Sequence, residues 1–303
     1  MEFHVIDALR TLGHSVSIVS TGDDLTTIIA ELRGTEPDLI FNLTESLYGD
    51  RLQEANVIAL LEMLRIPYTG VGPQGAWLCR DKAISKIVVA QQGVKVPPSA
   101  IFRLGDPIAR GTLDFPLPAI VKPLMEDGSE GISAKSLVRS AESMARRVEF
   151  VHRSLGLDAI CEQFIEGREL TIAMTGNERL LLFPIREFRV GRGGKGAPRF
   201  QTDRVKWDPA FRKKWNASFV DAELPESTSR GIRSACRKIF RCLLMRDYAR
   251  IDFMLSGGEI WFLEANPNPN LLGPTPRAFT MPWKGLPYVK MIGRIVTAAL
   301  GRQ

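Results

Sequence analysis

Hydrophobic and polar positions in the first part of the chain follow two different periodicities. Val5 to Leu12 and Gln53 to Leu64 have helical spacing, whereas Ser15 to Ser20 alternates like a strand and Asp38 to Asn42 is a short apolar run. Strands separated by helices predict a parallel sheet, so we expect an N-terminal α/β domain over residues 1–80. Because the pattern opens on a helix, this domain is expected to lack the first strand of a doubly wound sheet.

The rest of the chain, residues 81–303, is predicted to form a larger α+β unit. The expected helices are Asp81–Gln92, about 140–155 and Ser227–Arg246. The expected strands are Ala119–Val121, Ile160–Phe164, Leu170–Thr175, Leu180–Ile185, Ala249–Leu255 and Ile260–Ala265. We expect a central lobe over about 99–168 and a C-terminal lobe over 169–303, so the protein is multidomain.

Composition excludes several classes of protein. With 303 residues, 45% hydrophobic and 24% charged, the chain has the composition of a folded globular protein. No apolar run approaches the ~20 residues of a membrane span, and the N-terminus lacks a secretory signal pattern, so a cytoplasmic location is expected. The four cysteines have no metal-ligand spacing, which predicts buried thiols without chemistry.

Positive charge is concentrated in one segment. The chain has a net charge of +6, and residues 186–214 contain ten Lys or Arg against three acidic residues, with four glycines among them. Two interpretations fit such a segment: a lid over nucleotide phosphates or a contact with nucleic acid. Few aromatic residues and no nucleic-acid motif occur there, which favours the lid.

A hairpin near the C-terminus carries a distinctive set of polar residues. Residues two apart on a strand share a face, so Arg250 and Asp252 point together, and so do Glu264 and Asn266. Facing carboxylates beside an amide oxygen are the hard ligands that Mg²⁺ prefers. The alternative is a solvated hairpin face with an Arg–Asp pair.

The register of this hairpin depends on its loop. A three-residue loop, 257–259, would set Asp252 opposite Glu264. The other face would then be apolar and would consist of Ile251, Phe253, Trp261 and Leu263.

Two further segments carry candidate binding residues. Lys122 ends a predicted strand before a Gly/Ser loop at 126–133, whose backbone N–H groups could cradle phosphate, unless the loop is only a turn. Glu162, Glu166 and Glu169 surround an apolar strand. As exposed acids they could bind an adenine amino group and ribose hydroxyls, although the segment alone also fits an edge strand.

Six segments in this order resemble the ATP-grasp superfamily, most closely D-alanine–D-alanine ligase and its shorter relatives. The resemblance covers about residues 38–270. The segments are Phe41-Asn42-Leu43, Ile66-Pro67-Tyr68-Thr69-Gly70, Ile120-Val121-Lys122-Pro123, Phe164-Ile165-Glu166-Gly167-Arg168-Glu169, Asp247-Tyr248-Ala249-Arg250-Ile251-Asp252-Phe253 and Glu264-Ala265-Asn266-Pro267. It implies an ATP-grasp fold with an N-terminal pre-ATP-grasp domain. The implied activity is Mg-ATP-dependent carboxylate–amine ligation through an acyl phosphate.

The resemblance also implies roles for individual residues. Those implied to contact ATP are Lys82, Lys122, Ser129, Glu162, Gln163, Ile165 and Glu169. Those implied to bind Mg²⁺, or Mn²⁺ in its place, are Asp252, Glu264 and Asn266. Arg250 would support the acyl phosphate and the tetrahedral intermediate, and Lys206 resembles the lid lysine. The implied partners are small carboxylates and amines of the amino-acid type, with no nucleic acid and no membrane; a homodimer stays open.

The substrate side departs from the family pattern. The family's glutamate that anchors the first ammonium lies on an N-terminal strand before the start of this sequence, so we expect the anchor to be missing. Gly128 stands where the family has a serine, Trp207 where it has a tyrosine, and Thr275 is the candidate for the second carboxylate. The substrate pair is therefore open. A non-catalytic nucleotide-binding module is the alternative, which the retained Arg250, Asp252, Glu264 and Asn266 disfavour.

Overall fold

Two antiparallel sheets organise the chain after residue 98 in the computed structural model, which describes residues 1–20, 24–108, 113–126, 131–194, 196–272 and 285–302. The strands are β1 (Ser99–Phe102), β2 (Ala119–Pro123), β3 (Leu137–Val138), β4 (Ala159–Gln163), β5 (Arg168–Thr175), β6 (Leu181–Leu182), β7 (Arg186–Val190), β8 (Ala217–Asp221), β9 (Tyr248–Ser256) and β10 (Glu259–Asn266). The first sheet has the order β1-β4-β2-β3. The second has the order β10-β9-β5-β7-β8, with β6 paired to β5.

Helices cover both sheets. They are α1 (Glu2–Thr11), α2 (Leu25–Thr35), α3 (Glu54–Met63), α4 (Pro73–Arg80), α5 (Lys82–Ala90), α6 (Ala141–Phe150), α7 (Asp203–Trp207), α8 (Pro209–Trp215), α9 (Glu226–Cys242) and α10 (Tyr288–Leu300). Short turns of other helix types follow at Arg51–Gln53, Ala134–Ser136 and Val151–Leu155. None of the described helices is long and apolar enough to cross a membrane.

Apolar stripes fix these helices in place. The stripe of α9, which includes Ile232 and Ile239, packs on β5 and β9 through residues such as Ile172 and Phe253. Helices α1 and α10 pack together against another group of buried residues that includes Ala173 of β5. Three of the four cysteines are buried and all are free thiols, as predicted.

The N-terminal region has less regular strand structure than the sequence predicts. Residues Ser15–Ser20 form no strand, and most of this segment is exposed. The predicted run Asp38–Asn42 contributes one parallel bridge, between Ile40 and Tyr68. Alternation alone was misleading at Ser15–Ser20, because a strand needs a paired neighbour and the described residues provide none.

The region between β5 and α9 also differs from the prediction. In place of one strand over Leu180–Ile185, the chain forms the short β6 and then β7, which begins at Arg186. Strands β7 and β8 pair over their full length, so the segment 186–214 starts as part of the second sheet. The basic residues of β7 interrupt its apolar pattern and so obscured the strand; in the fold Arg186 pairs with Asp221 and Arg189 pairs with Glu187.

The turn of the β9–β10 hairpin is shorter than predicted. Ser256 pairs with Glu259, so the turn consists of Gly257 and Gly258 alone. Both glycines have positive φ, 56° and 84°, a conformation that costs glycine little. The three-residue loop 257–259 was therefore wrong.

A β-bulge restores the predicted pairing of the carboxylates. Phe262 lies opposite Phe253, but the register then shifts, and Glu264 lies opposite Asp252. Leu263 is the extra residue at this shift. A bulge inserts one residue into one strand and so changes which residues face each other beyond it. The predicted Asp252–Glu264 pairing is therefore correct, although it arises from a two-residue turn and a bulge and not from a three-residue loop.

The bulge also corrects the predicted apolar face. Phe262 and Ala265 belong to the core beside Phe253, whereas Leu263 lines a cleft and Trp261 pairs with Met254 outside that core. The assignment of Trp261 and Leu263 to the face of Phe253 was therefore wrong. The physical reason is the two-residue turn, which reverses the alternation of β10 up to the bulge.

Asp247 joins three parts of the chain. Its side chain is fully buried and accepts hydrogen bonds from Gly70 N at 2.7 Å and Asn177 Nδ2 at 3.1 Å. It also pairs with Arg302, which donates to Tyr68 O at 2.6 Å. This carboxylate therefore fixes the N-terminal region and the C-terminal end against β9.

Candidate functional site

Two adjoining cavities meet at the charged face of the β9–β10 hairpin. The inter-sheet cleft, lined by residues of β2, β4, β5, β9 and β10, contains about 640 Å³ of empty space, the solvent at its mouth included. The loop-lined cavity, bounded by the segments 42–45 and 266–270, contains about 1360 Å³ by the same measure. Lys206 lines both. Asp252 and Glu264 face the cleft, whereas Arg250 and Asn266 line the cavity.

Apolar side chains form much of the cleft wall. They are Pro97, Ile120, Ile132, Phe164, Ile165, Phe200, Met254 and Leu263. Backbone hydrogen bonds fix the segment that leaves β4, from Gln163 N to Pro98 O and from Phe164 N to Pro118 O. Gln163 and Ile165, both expected to contact a nucleotide, line this cleft. Apolar walls with a few polar groups are typical of sites for planar ligands.

Asp252 is held firmly within the charged row. Its Oδ1 accepts a hydrogen bond from Thr171 Oγ1 at 2.6 Å, and its Oδ2 accepts one from Arg250 Nη2 at 2.9 Å. Arg250 and Asp252 thus share a face, as predicted. Burial raises the pKa of Asp252, and the Arg250 guanidinium acts in the opposite direction.

Glu264, unlike Asp252, is close to two cations but not hydrogen-bonded to them. Its Oε1 lies 3.7 Å from Arg250 Nη2 and 4.0 Å from Lys206 Nζ, both beyond ordinary hydrogen-bond distance. Burial disfavours its ionisation, but the charges of Lys206, Lys82 and Arg250 outweigh burial and lower the pKa of Glu264. Glu264 is therefore an ionised carboxylate with capacity for a further cation.

The residues predicted to bind a divalent metal form a suitable donor set. Glu264 lies opposite Asp252, and Asn266 lies opposite Arg250. The Nδ2 atom of Asn266 is buried without a hydrogen-bond partner in the described part of the chain, which marks an incomplete polar site. Two carboxylates and an amide fit Mg²⁺ or Mn²⁺. The described residues contain no alternative group of three or more His, Cys, Asp and Glu side chains that could hold a metal.

A buried ion triad borders the cleft. Glu162 accepts from Lys122 Nζ at 2.9 Å through one oxygen, and its other oxygen lies 2.9 Å from Lys86 Nζ. Burial opposes the charge of Glu162, but the two lysines lower its pKa to about 2. The expectation of an exposed Glu162 was wrong, since the residue is only 1% exposed. An acid flanked by apolar residues can be buried when cations pair with it.

Lys82 lies apart from the cleft surface. Its ammonium donates to Glu126 O and lies 3.5 Å from Leu124 O, so it holds the segment that follows β2. Ser129 and Gly128, which were expected in the loop after this segment, lie outside the described residues. Lys82 therefore contributes positive charge near Glu264 without lining the cleft.

Glu169 and residues of the segment 186–214 close the cleft on another side. Glu169 accepts from Gln201 Nε2 at 2.8 Å and from Gln201 N at 3.2 Å. Burial and the nearby Asp252 raise the pKa of Glu169 to about 7. Phe200, Gln201 and Lys206 all line the cleft, so the basic segment covers it. Glu166, in contrast, is exposed and pairs with Arg199.

The loop-lined cavity contains functional candidates that carry no motif in the sequence. Arg80 and Glu54 form a buried ion pair on its wall, and Asn268 Nδ2 lies 3.5 Å from Glu54 Oε1. Glu45 and Arg51 also line it. No local motif identifies these residues, because they come from helix ends and loops that meet only in the fold. Trp207, 61% exposed, lines this cavity, and Thr275 lies outside the described residues.

The chemistry available at the junction of the two cavities follows from this geometry. Lys122 and Lys206 can bind anionic oxygens in the cleft, and the carboxylate row can hold a cation beside them. Arg250 faces the adjoining cavity, where it can stabilise negative charge on a second ligand. The arrangement suits transfer of an anionic group between ligands bound in the two cavities.

Comparisons with known proteins agree with this geometry. The family model described as D-ala D-ala ligase C-terminus matches residues 91–297. An uncharacterized protein of Sinorhizobium fredii, y4sG, is 29% identical over 97% of this chain and 86% of its own length. A D-alanine–D-alanine ligase of Gluconobacter oxydans is 28% identical over 98% of this chain and 92% of its own. The crystal structure of D-alanine–D-alanine ligase from Bacillus anthracis complexed with ATP aligns with a TM-score of 0.76 at 20% identity. That alignment covers 99% of this chain and 91% of the other.

Proposed function

Because the chain belongs to the D-ala D-ala ligase C-terminal family and has an ATP-grasp fold, we propose that it is a Mg-ATP-dependent carboxylate–amine ligase. The observation that carries this proposal is the charged row of the β9–β10 hairpin. Arg250, Asp252, Glu264 and Asn266 lie together on it, at the junction of the two cavities.

The proposed reaction uses both cavities. Phosphorylation of a substrate carboxylate by ATP gives an acyl phosphate, whose phosphate leaves when an amine attacks. A divalent ion held by Asp252, Glu264 and Asn266 would neutralise phosphate charge when bound. Lys122 would orient the phosphates from the cleft. Arg250 would stabilise the negative charge that develops on the side of the loop-lined cavity.

The basic segment 186–214 would act as the lid in this proposal. Phe200 and Gln201 cover the cleft, and Lys206 reaches both cavities. A covered site excludes water, which protects an acyl phosphate from hydrolysis. The domain division into 1–80, 99–168 and 169–303 is part of the same proposal, and the two separate sheets support its last boundary.

The substrates in this proposal are small amino acids, with the pair left open. A phosphate-release screen with Mg-ATP and with single and paired D- and L-amino acids tests it. We expect release above the ATP-only rate with at least one pair, and slow turnover with D-alanine alone because Gly128 and Trp207 replace the serine and the tyrosine of the family pattern. Tight nucleotide binding without release for any pair would contradict ligase activity and favour a non-catalytic nucleotide-binding module.

A further inference from the structure

We propose that Lys86 is a positioning residue with two effects. It pairs with Glu162 and so leaves Lys122 free to attract phosphate, and it stabilises the β-bulge at Leu263, next to Glu264. This inference rests on the proposed function, because it concerns how the cleft receives phosphate. Lys86 lies on α5, is 3% exposed and is absent from the cleft lining, so it would act through its neighbours.

The first observation concerns the bulge. Lys86 Nζ donates to Leu263 O at 2.7 Å. Leu263 is the extra residue at the register shift, and an extra residue in a bulge loses its ladder partner. This carbonyl is partly buried, and Lys86 supplies its hydrogen bond from outside the sheet. The bulge is what sets Glu264 opposite Asp252, so Lys86 stabilises the register of the carboxylate row.

The second observation concerns charge. Glu162 is shared, with one oxygen 2.9 Å from Lys86 and the other 2.9 Å from Lys122. One carboxylate thus pairs with two ammonium groups, so this triad has one positive charge in excess at the edge of the cleft. Without the charge of Lys86 the triad would be neutral, and Glu264 and Glu169, which also act on Lys122, would leave the cleft more negative. The cleft would then lose attraction for phosphate oxygens.

A purely structural role for Lys86 makes a different prediction. If Lys86 only fills space and satisfies polar atoms, its loss should lower stability and weaken every ligand equally. If it controls charge, its loss should weaken phosphate-bearing ligands selectively. Removing Glu162 as well should then restore much of the affinity, because Lys122 would again carry an uncompensated charge.

Four variants separate these roles: Lys86→Met, Lys86→Arg, Lys86→Met/Glu162→Gln and the control Lys95→Met. Lys95 also pairs with an acid, Glu259 at 3.1 Å, and also contacts β10, but it is half exposed and lies away from the triad. Calorimetry of folded protein would measure affinity for Mg-ATP and for adenosine, which has no phosphate.

We expect Lys86→Met to weaken Mg-ATP binding by about 10-fold or more, because it removes a charged contact, with adenosine binding nearly unchanged. The double variant and Lys86→Arg should recover most of the loss, and Lys95→Met should change neither ligand. Unchanged Mg-ATP affinity in Lys86→Met would overturn the proposal. Equal weakening of both ligands, without recovery in the double variant, would also overturn it.

Hydrogen exchange provides a ligand-free test. Lys86→Met should speed amide exchange at residues 262–264 relative to Lys95→Met, and unchanged exchange would overturn the role in the bulge. If the wild-type protein binds no Mg-ATP, the proposed function fails, whereas the exchange result still decides whether Lys86 holds the bulge. If Lys86→Met does not fold, the double variant and Lys86→Arg are compared with wild type. Exchange at residues 262–264 that stays slow in the double variant would then overturn the proposal.

Discussion

The inter-sheet cleft and the loop-lined cavity share Lys206 but are built from different kinds of backbone. Apart from Lys206 on α7, the charged residues of the cleft lie on strands, such as Lys122 on β2 and Asp252 on β9. The polar residues of the cavity come mainly from helix ends and connections, such as Arg80 and Asn268. Strand alternation makes the first set readable from sequence, whereas the second set depends on tertiary packing.

The two cavities also differ in how closely their acidic side chains are paired with cations. In the cleft, the charges around Glu264 favour its ionised form, and the cations nearest to it among the described residues, Arg250 and Lys206, lie beyond hydrogen-bond distance. Its negative charge is therefore available to a ligand. In the cavity, Glu54 and Arg80 already satisfy each other as a buried pair. We therefore expect changes in the cleft to act on ligand binding and chemistry, and changes at the Glu54–Arg80 pair to act on stability.

The largest effect is expected from Glu264→Gln. This change removes a carboxylate at nearly constant shape, so ATP-dependent phosphate release should fall on the order of 1,000-fold while the fold is retained. Steady-state kinetics and circular dichroism measure the two outcomes. Glu259→Gln on the same strand, where the side chain is 56% exposed, should leave activity unchanged. A fully active Glu264→Gln enzyme would remove Glu264 from the metal site.

The next effect is expected from Arg80→Met in the cavity. Breaking a buried pair removes the cation that compensates the charge of Glu54, so unfolding by denaturant should be easier by about 3 kcal/mol, with nucleotide affinity unchanged. Arg246→Met is the matched control, because Arg246 pairs with Glu62 at 3.3 Å with both side chains more than one-third exposed. It should cost about 1 kcal/mol or less. Weakened nucleotide binding in Arg80→Met would show that the two cavities are coupled.

A smaller effect is expected from Lys122→Ala in the cleft. Loss of one charged contact to phosphate should weaken Mg-ATP binding by about 1.5 to 3 kcal/mol in calorimetry. Lys135→Ala, an exposed lysine on the same lobe, should leave the affinity unchanged. Equal affinities of wild type and Lys122→Ala would place the phosphates elsewhere.

The smallest effect concerns pH and Glu169. Its pKa is raised to about 7 in the folded protein, so the folded state holds a proton that the unfolded chain releases at lower pH. Its contribution to stability should therefore fall as pH rises from about 4.5 to 7. In metal-free, chelator-treated buffer, Glu169→Gln should melt higher than wild type at pH 8 and similarly at pH 4.5. Glu166→Gln, at a side chain that is 77% exposed, is the surface control for the substitution itself. A wild type that melts higher than Glu169→Gln at pH 8 would contradict the raised pKa.

The sequence was a good guide where short-range pattern controls structure. The α9 stripe and strands β2, β4 and β5 were predicted from spacing, whereas the pairing of Asp252 with Glu264 was correct only because the bulge offset the wrong loop length. The hydrophobic pattern of these elements is strongly periodic, so it identifies them even where single residues deviate from it. The family resemblance added Gln163 and Ile165, which do line the cleft.

The failures have physical causes that lie outside local pattern. Ser15–Ser20 alternates, but the described residues supply no neighbouring strand, so alternation did not become a strand. Glu162 was expected to be exposed, because nothing near it in sequence indicates that Lys86 and Lys122 converge on its carboxylate. For Lys86 the sequence contains one weak indication of a role in the site: it lies one helical turn after Lys82. The Glu54–Arg80 pair joins residues of two helices, and no pattern in the sequence indicates that they meet.

The tip of the β9–β10 hairpin has a consequence for protein engineering. A Cβ atom at Gly257 or Gly258 would meet no atom within 4 Å, so the tip faces open space. Four cross-strand pairs lie between this tip and the bulge that sets Glu264 opposite Asp252. A flexible peptide tag or a fluorophore-bearing insert between these glycines should therefore be accommodated without moving Asp252 or Glu264. Such a label would report on closure of the neighbouring segments from a fixed point on the scaffold.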